Sequence, residues 1–206
     1  ASASVNVLKG VWYCYACRAH GIVDGDDAIP SAEELLLLLA DEEPERVYAE
    51  SWLDIFDADH PSPYWEARYG YETARHYRCG THPLSGAPTY PVHDAMGQVV
   101  GVTIRQADLE PKYKYPYGVR TSQTFFGDMG TARVIVVVEG APDVMALHQA
   151  GIPAGWTVLG CYGAGLHWPQ AQLIAEWSPD VVISAFDDDM AGHLADERAH
   201  YTLQEI

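Results

Sequence analysis

Val181-Val182-Ile183-Ser184-Ala185-Phe186-Asp187-Asp188-Asp189-Met190-Ala191-Gly192 reads as an apolar strand that delivers carboxylates to its own carboxyl end, the end at which open α/β sheets place their chemistry. Upstream, Val134-Ile135-Val136-Val137-Val138 finishes in the same way, in Glu139-Gly140-Ala141-Pro142-Asp143. Each acidic end passes into a small-residue turn and then a helical pattern. Two acidic strand ends point to a divalent metal site.

Around these runs the pattern predicts strand Arg133 to Val138, helix Ala141 to Ala150, strand Trp156 to Leu159, helix Pro169 to Trp177, strand Val181 to Phe186 and helix Ala191 to Tyr201. Strands alternating with helices indicate a small parallel sheet. Before them, Tyr64 to Tyr77 is helical with a break at Gly70, and strands Thr89 to Val92 and Val99 to Ile104 are joined by a hairpin turn at His93-Asp94-Ala95-Met96-Gly97. Together these segments form an α+β subdomain. Asp41 to Pro63 is acidic with aromatic interruptions and reads as a mostly exposed connection, with one short helix around Val47 to Ile55. Ser31-Ala32-Glu33-Glu34 is a capping box that starts a helix over Ala32 to Ala40. Nearer the N-terminus, the aromatic strand Val11-Trp12-Tyr13-Cys14 enters the turn Cys14-Tyr15-Ala16-Cys17. A Cys-x-x-Cys turn supplies two thiolates to a tetrahedral zinc, and the alternative is two small buried hydrophobes.

With 206 residues and 48% hydrophobic content, the chain can bury a core and hold one or two domains. No apolar run reaches the roughly 20 residues of a membrane span, and the N-terminus lacks a signal peptide's basic and apolar regions. The protein therefore reads as soluble and intracellular, with no membrane partner. Four cysteines are too few and too unevenly placed for a secreted disulfide framework. A net charge of -17 with only 12 Lys plus Arg excludes a nonspecific polyanion binder, so any nucleic-acid contact must use a local basic patch. The chain starts at Ala1 and stops at Ile206, just after its last helical pattern. It reads as a fragment at both ends.

Val136-Val137-Val138-Glu139-Gly140-Ala141-Pro142-Asp143-Val144-Met145-Ala146-Leu147, taken with Phe186-Asp187-Asp188-Asp189-Met190-Ala191-Gly192-His193-Leu194-Ala195, resembles the Toprim domain of bacterial DnaG-type primases, a domain shared more loosely with topoisomerases and some nucleases. Three further segments narrow the resemblance to primase. Tyr64-Trp65-Glu66-Ala67-Arg68-Tyr69-Gly70-Tyr71-Glu72-Thr73-Ala74 is similar to the family's tyrosine-leucine, arginine-glycine and glutamate-threonine segment, Tyr90 to Gly101 to its proline-led strand and glycine hairpin followed by Arg105, and Pro111-Lys112-Tyr113 to its proline-lysine-tyrosine basic motif. The N-terminal piece resembles the second half of the primase zinc ribbon. Asp41 to Pro63 is unmatched, and Tyr115 stands where the family commonly has a small polar residue.

The resemblance implies an α/β protein: a Toprim-type small parallel sheet flanked by helices over 131–206, preceded by an α+β primase N-terminal subdomain over 63–130, a helix and acidic linker over 26–62, and a partial zinc ribbon over 1–25. It implies a primase catalytic core that makes short RNA primers on single-stranded DNA from ribonucleoside triphosphates, with Mg²⁺ (or Mn²⁺) at the acids and Zn²⁺ in the intact protein. The implied partner is a replicative helicase, and the implied place the cytoplasm of a bacterial or phage-infected cell. The alternatives are a Toprim-type metal-dependent nuclease and a noncatalytic adaptor that binds DNA or a helicase.

Phosphodiester formation needs an activated 3′-hydroxyl and neutralised charge on the α-phosphate, which carboxylate-held Mg²⁺ ions provide. On an extended strand end Asp187 and Asp189 point to one side and Asp188 to the other. Asp187 and Asp189 are thus the expected ligands, Glu139 a further ligand or the group that takes the hydroxyl proton, and Asp143 a holder of the loop or of a second ion. Their alternatives are a solvated turn or N-cap for the triplet and a helix-dipole acid for Asp143. Arg105, Lys112, Lys114 and Arg120 cluster in sequence around Tyr113, Tyr115 and Tyr117. Cations interleaved with rings suit single-stranded nucleic acid, and the alternative is a hydrated loop. Cys79-Gly80-Thr81-His82 offers a second ligand pair for zinc, but the resemblance puts Cys79 where the family has an apolar core residue before a glycine and so implies a packed thiol. Cys161 is expected in the core or a turn.

Overall fold

The computed structural model describes residues 3–6, 11–14, 20–22, 46–106, 111–116, 118–163 and 165–204. The chain divides into two compact units, Ala1–Glu45 and Arg46–Ile206. In the first, strands β1 (Ala3–Asn6), β2 (Val11–Cys14) and β3 (His20–Ile22) form an antiparallel sheet in the order β1-β2-β3. Cys14 closes β2 as the aromatic run predicts. Cys17 and the capped helix expected over Ala32 to Ala40 lie outside the described residues.

The second unit is built on a four-stranded sheet of order β10-β8-β9-β7. Strands β8 (Val134–Val138), β9 (Trp156–Gly160) and β10 (Val181–Ser184) are parallel, while β7 (Phe126–Gly127) runs antiparallel along the far side of β9. Helices α3 (Ala141–Ala150), α4 (Trp168–Trp177) and α5 (Met190–Gln204) supply the connections and the end of the chain. The fold is thus mixed α/β with a small, largely parallel sheet flanked by helices, as expected. Strand β8 shows why its sequence is a continuous apolar run. Val136 and Val138 enter one core with Trp65, Tyr90 and Met145, whereas Ile135 and Val137 enter another with Phe125, Leu159, Ile174 and Ala199. A strand covered on both faces has no polar position to alternate with, and each such side chain contributes about 1.5–3 kcal/mol on burial. At the edge, β10 leaves Val181 and Ile183 partly exposed.

Ahead of this sheet come α1 (Pro63–Tyr69), α2 (Tyr71–His76) and an antiparallel sheet β4-β5-β6 (Thr89–His93, Val99–Arg105, Tyr113–Lys114). The first core joins Trp65, Tyr90 and Val92 to Val136, Val144 and Met145, so packing runs across the boundary expected at residue 130. Among the described residues, no helix is long and apolar enough to cross a membrane.

The acidic stretch from Arg46 is mostly exposed with one short helix, as expected, but its apolar side chains dock against β5. Its short helix is 3-10, over Glu50–Phe56. Leu53 and Ala58 are buried against Val99 and Val102, and the Tyr48 amide donates to the Val99 carbonyl at 2.8 Å. The reason is an aromatic stripe: Tyr48 stacks on Trp52 at 4.1 Å and Trp52 meets Phe56 edge to face at 4.9 Å. Trp52 and Phe56 belong to the 3-10 helix and Tyr48 lies just ahead of it, and the contacts between them make one apolar stripe that needs cover. Arg78 anchors the polar side, with its guanidinium 3.2 Å from both Glu50 and Asp54.

Cys79 is fully buried, its thiol 3.5 Å from the Met145 sulfur, and His82 accepts from Ser85 instead of facing it. Cys161 is buried as well. Gln170, without exposed surface, is spent completely: its amide nitrogen donates to the carbonyls of Thr124 at 2.6 Å and of Thr121 and Cys161 at 3.3 Å, and its oxygen accepts from the His167 amide at 2.9 Å. Replacing it with an isosteric apolar residue strands those buried groups. Gln170→Leu is expected to lower unfolding free energy by about 2–3 kcal/mol, measured by urea denaturation; a change under about 0.5 kcal/mol would refute the clamp.

Candidate functional site

Parallel pairing of Val134 to Val137 with Val181 to Ser184 brings the two acidic loops to one end of the sheet. After Val138 the chain turns at Gly140, the cap of α3, with Pro142 in its first turn, where the missing N–H costs nothing. Asp143 reaches back from that turn, its carboxylate accepting the Gly140 N–H at 3.1 Å. One of its oxygens is therefore committed to holding the loop, the structural role weighed for it in the sequence.

Strand β10 ends at Ser184, two residues earlier than its apolar run suggests, although the Ala185 amide still donates to the Val137 carbonyl at 2.8 Å. The triplet then folds as a tight turn, with the Asp189 amide donating to the Asp187 carbonyl at 2.8 Å. The extended alternation expected at Asp187 to Asp189 does not hold, and the turn sorts the acids instead. Asp189 caps α5, its side chain accepting from the Gly192 amide at 2.8 Å and its carbonyl from His193 at 2.9 Å. Asp188 points outward, with a 98% exposed side chain 3.1 Å from the His193 ring nitrogen. Gly192 is required here because a Cβ would run into the Asp187 backbone.

Four carboxylates share one field at this end. Burial raises the pKa of Glu139 first, and the charges of Asp187, Asp143 and Asp189, with a hydrogen bond to Asp187, raise it further. Burial also raises Asp143, Asp187 adds to that, and the Gly140 amide works against it. Among the described residues, no three His, Cys, Asp or Glu side chains already converge as a metal cage. What is present is an open set of hard oxygen donors whose mutual repulsion a cation would relieve. That donor set suits Mg²⁺ or Mn²⁺ rather than a thiolate-seeking metal. Cys14 contributes only its backbone to the described residues and Cys17 none.

A third loop, at the strand end Leu159 to Gly163, closes on the acids. The Cys161 amide donates to the Val138 carbonyl at 3.0 Å and the Gly163 amide to the Glu139 carbonyl at 3.1 Å. Between them Tyr162 is left-handed at φ 62° and buried. Behind it, a Cβ on Gly160 would lie 2.8 Å from the Gly140 backbone. Only the small residues flanking Cys161 and Tyr162 hinted at so close an approach. Of the basic residues, Lys112 and Lys114 are exposed on and beside β6, whose Tyr113 pairs with Arg105 of β5. The Arg105 guanidinium lies 4.3 Å from the Tyr64 ring centre. Arg120 precedes the 3-10 turn Thr121–Gln123, and Tyr117 lies outside the described residues.

Residues 136–206 match a family model described as Toprim-like. A DNA primase of Synechococcus elongatus is 35% identical over 130 residues, covering 56% of this chain but 18% of its own length. A structure of the bacteriophage T7 lagging-strand DNA polymerase interacting with primase domains bound to an RNA/DNA hybrid and dTTP is 26% identical, with a TM-score of 0.52 over 66% of this chain and 72% of that one. The zinc-binding and RNA polymerase domains of the Aquifex aeolicus primase match in fold, with a TM-score of 0.57 at 20% identity over 97% of this chain and 65% of that one. These matches support a DnaG-type primase Toprim core. The matched part spans about a fifth of the curated relatives' length.

The raised pKa of Glu139 has a signed consequence. The fold holds a proton there that the unfolded chain releases, so the metal-free stability is full below the ordinary carboxylate pKa and is lost as pH rises through the raised value. In chelator, the thermal midpoint of the wild type is expected to fall relative to Glu139→Gln as pH rises above the ordinary carboxylate range of about 4, and millimolar Mg²⁺ should close the gap. Midpoint curves that stay parallel over that range would show that Glu139 carries no strain from its neighbours.

Proposed function

We propose that this chain is a primase catalytic core: it joins ribonucleoside triphosphates into a short RNA primer on a single-stranded DNA template, with Mg²⁺ (or Mn²⁺) held by Glu139, Asp187 and Asp189. The observation that carries the reading is the shared field of Glu139, Asp187, Asp143 and Asp189 across two parallel strand ends, within a segment that matches a Toprim-like model. A bound divalent ion supplies the positive charge that offsets charge growing on the α-phosphate.

The chain's own side chains do the remaining work. Glu139 serves as a ligand of that ion or as the group that takes the proton of the attacking 3′-hydroxyl. Asp143 holds the Gly140 turn through its backbone bond and takes part in the cation's field. Lys112 and Lys114 hold phosphates, Tyr113 offers a ring to a base, and Arg105, seated on Tyr64, adds a fixed cation. In the intact protein Cys14 and Cys17 supply two thiolates to a structural Zn²⁺, and a replicative helicase is the partner, in the cytoplasm. A nuclease reading keeps the acids but gives the cationic strand less to do.

The assay is primer synthesis on single-stranded DNA with labelled ribonucleotides and Mg²⁺. Asp187→Ala is expected to lower product by about a hundredfold or more, and Asp188→Ala to change it little. Synthesis that survives Asp187→Ala would overturn the metal assignment, and cleavage without synthesis would move the protein to the nucleases. Lys112→Ala should weaken single-stranded DNA binding uniformly across sequences and flatten the slope of log affinity against log salt by about 0.7. An unchanged slope in a salt titration would remove Lys112 from the interface.

A further inference from the structure

The Tyr115 hydroxyl donates to the Tyr162 carbonyl at 3.2 Å, and the two rings meet edge to face at 5.8 Å. Tyr115 directly follows the cationic strand β6. Tyr162 belongs to the loop whose next residue, Gly163, donates to the Glu139 carbonyl. A short path of bonds thus leads from Lys114 to the acids.

Tyr162 is a residue that needs holding. Its φ of 62° is left-handed for a bulky side chain, and its hydroxyl is buried without a partner. Such conformations persist only where the surroundings impose them. Tyr115 imposes this one from a fixed base, since Pro116 sits where a Cβ on Gly101 of β5 would overlap its ring. Burial pushes the Tyr115 hydroxyl up to about 12, so it remains a donor at neutral pH.

We propose that Tyr115 is a positioning residue that couples strand β6 to the acidic site, so that a single-stranded polyanion on Lys112 and Lys114 and a divalent cation at Glu139 strengthen each other's binding. An anion on β6 reinforces the Tyr115 bond to Tyr162, and Gly163 passes that restraint to the backbone from which the Glu139 carboxylate projects. Linkage makes the effect reciprocal. Direct attraction between the two ligands through space would survive loss of the hydroxyl, which separates it from this path. The inference rests on the function proposed above.

The test is a Mn²⁺ titration of the whole chain, followed by the electron paramagnetic resonance signal of free Mn²⁺, with and without an oligothymidylate. The oligonucleotide is expected to tighten Mn²⁺ binding about fivefold in the wild type, the equilibrium equivalent of about one hydrogen bond. Tyr115→Phe keeps the ring, and its thermal midpoint checks the fold; there the tightening should drop below about twofold, while Mn²⁺ still binds. Equal tightening in both proteins, or none in the wild type, overturns the coupling. If Glu139→Gln leaves Mn²⁺ binding untouched, the metal site itself fails, a result distinct from loss of coupling.

Discussion

Parallel pairing of β8 with β10 sets the terms for the whole acidic end. Parallel neighbours finish on the same side, about 4.8 Å apart, so whatever follows Val138 and Ser184 must share a small volume. Here both continuations are acidic. Two like charges about 4 Å apart repel by about 1 kcal/mol in water and about 4 kcal/mol near a protein surface. Against that stand Ile135, Val137 and Val138 of β8, all nearly without exposed surface, at about 1.5–3 kcal/mol each. Apolar burial wins, the register stays, and the raised proton affinity of Glu139 reflects its own burial first and this repulsion second.

Close backbone approach is the second requirement. The end of β9 lies against the Gly140 turn, and the first turn of α5 lies against Asp187, each contact possible only because Gly160 and Gly192 lack a side chain. The three loops at this end are therefore stacked backbone on backbone. Their geometry is set by main-chain bonds such as Gly163 to Glu139 and His193 to Asp189, with the Asp143 and Asp189 carboxylates each accepting one backbone N–H of their own turn.

Much of this was legible in the sequence, because long apolar runs and helical periods are local signals. The alternation of strand and helix from Arg133 onward and the Asp94 hairpin follow from composition over short windows, and the packed thiol at Cys79 from the resemblance. What escaped depends on distant partners. β6 and β7 are two residues each and exist only through pairing with β5 and β9. The docking of Tyr48, Trp52 and Phe56 was hidden by the acids between them, whose charge suggested solvent. At Asp187 to Asp189 the apolar run hid the true end of the strand, since Ala185 and Phe186 fit a strand yet lie beyond its last pair. Nothing local in Tyr115 or Tyr162 announces their bond, which spans 47 positions.

The burial of Cys79 and Cys161 also divides the chain's four cysteines into chemical classes. Burial drives both thiols upward, Cys161 to about 12, so neither forms the thiolate that alkylating reagents attack at neutral pH. A thiol reagent added to the folded chain is blind to this pair. Under denaturant the pair becomes reactive, so a colour reaction for thiols follows the loss of the fold.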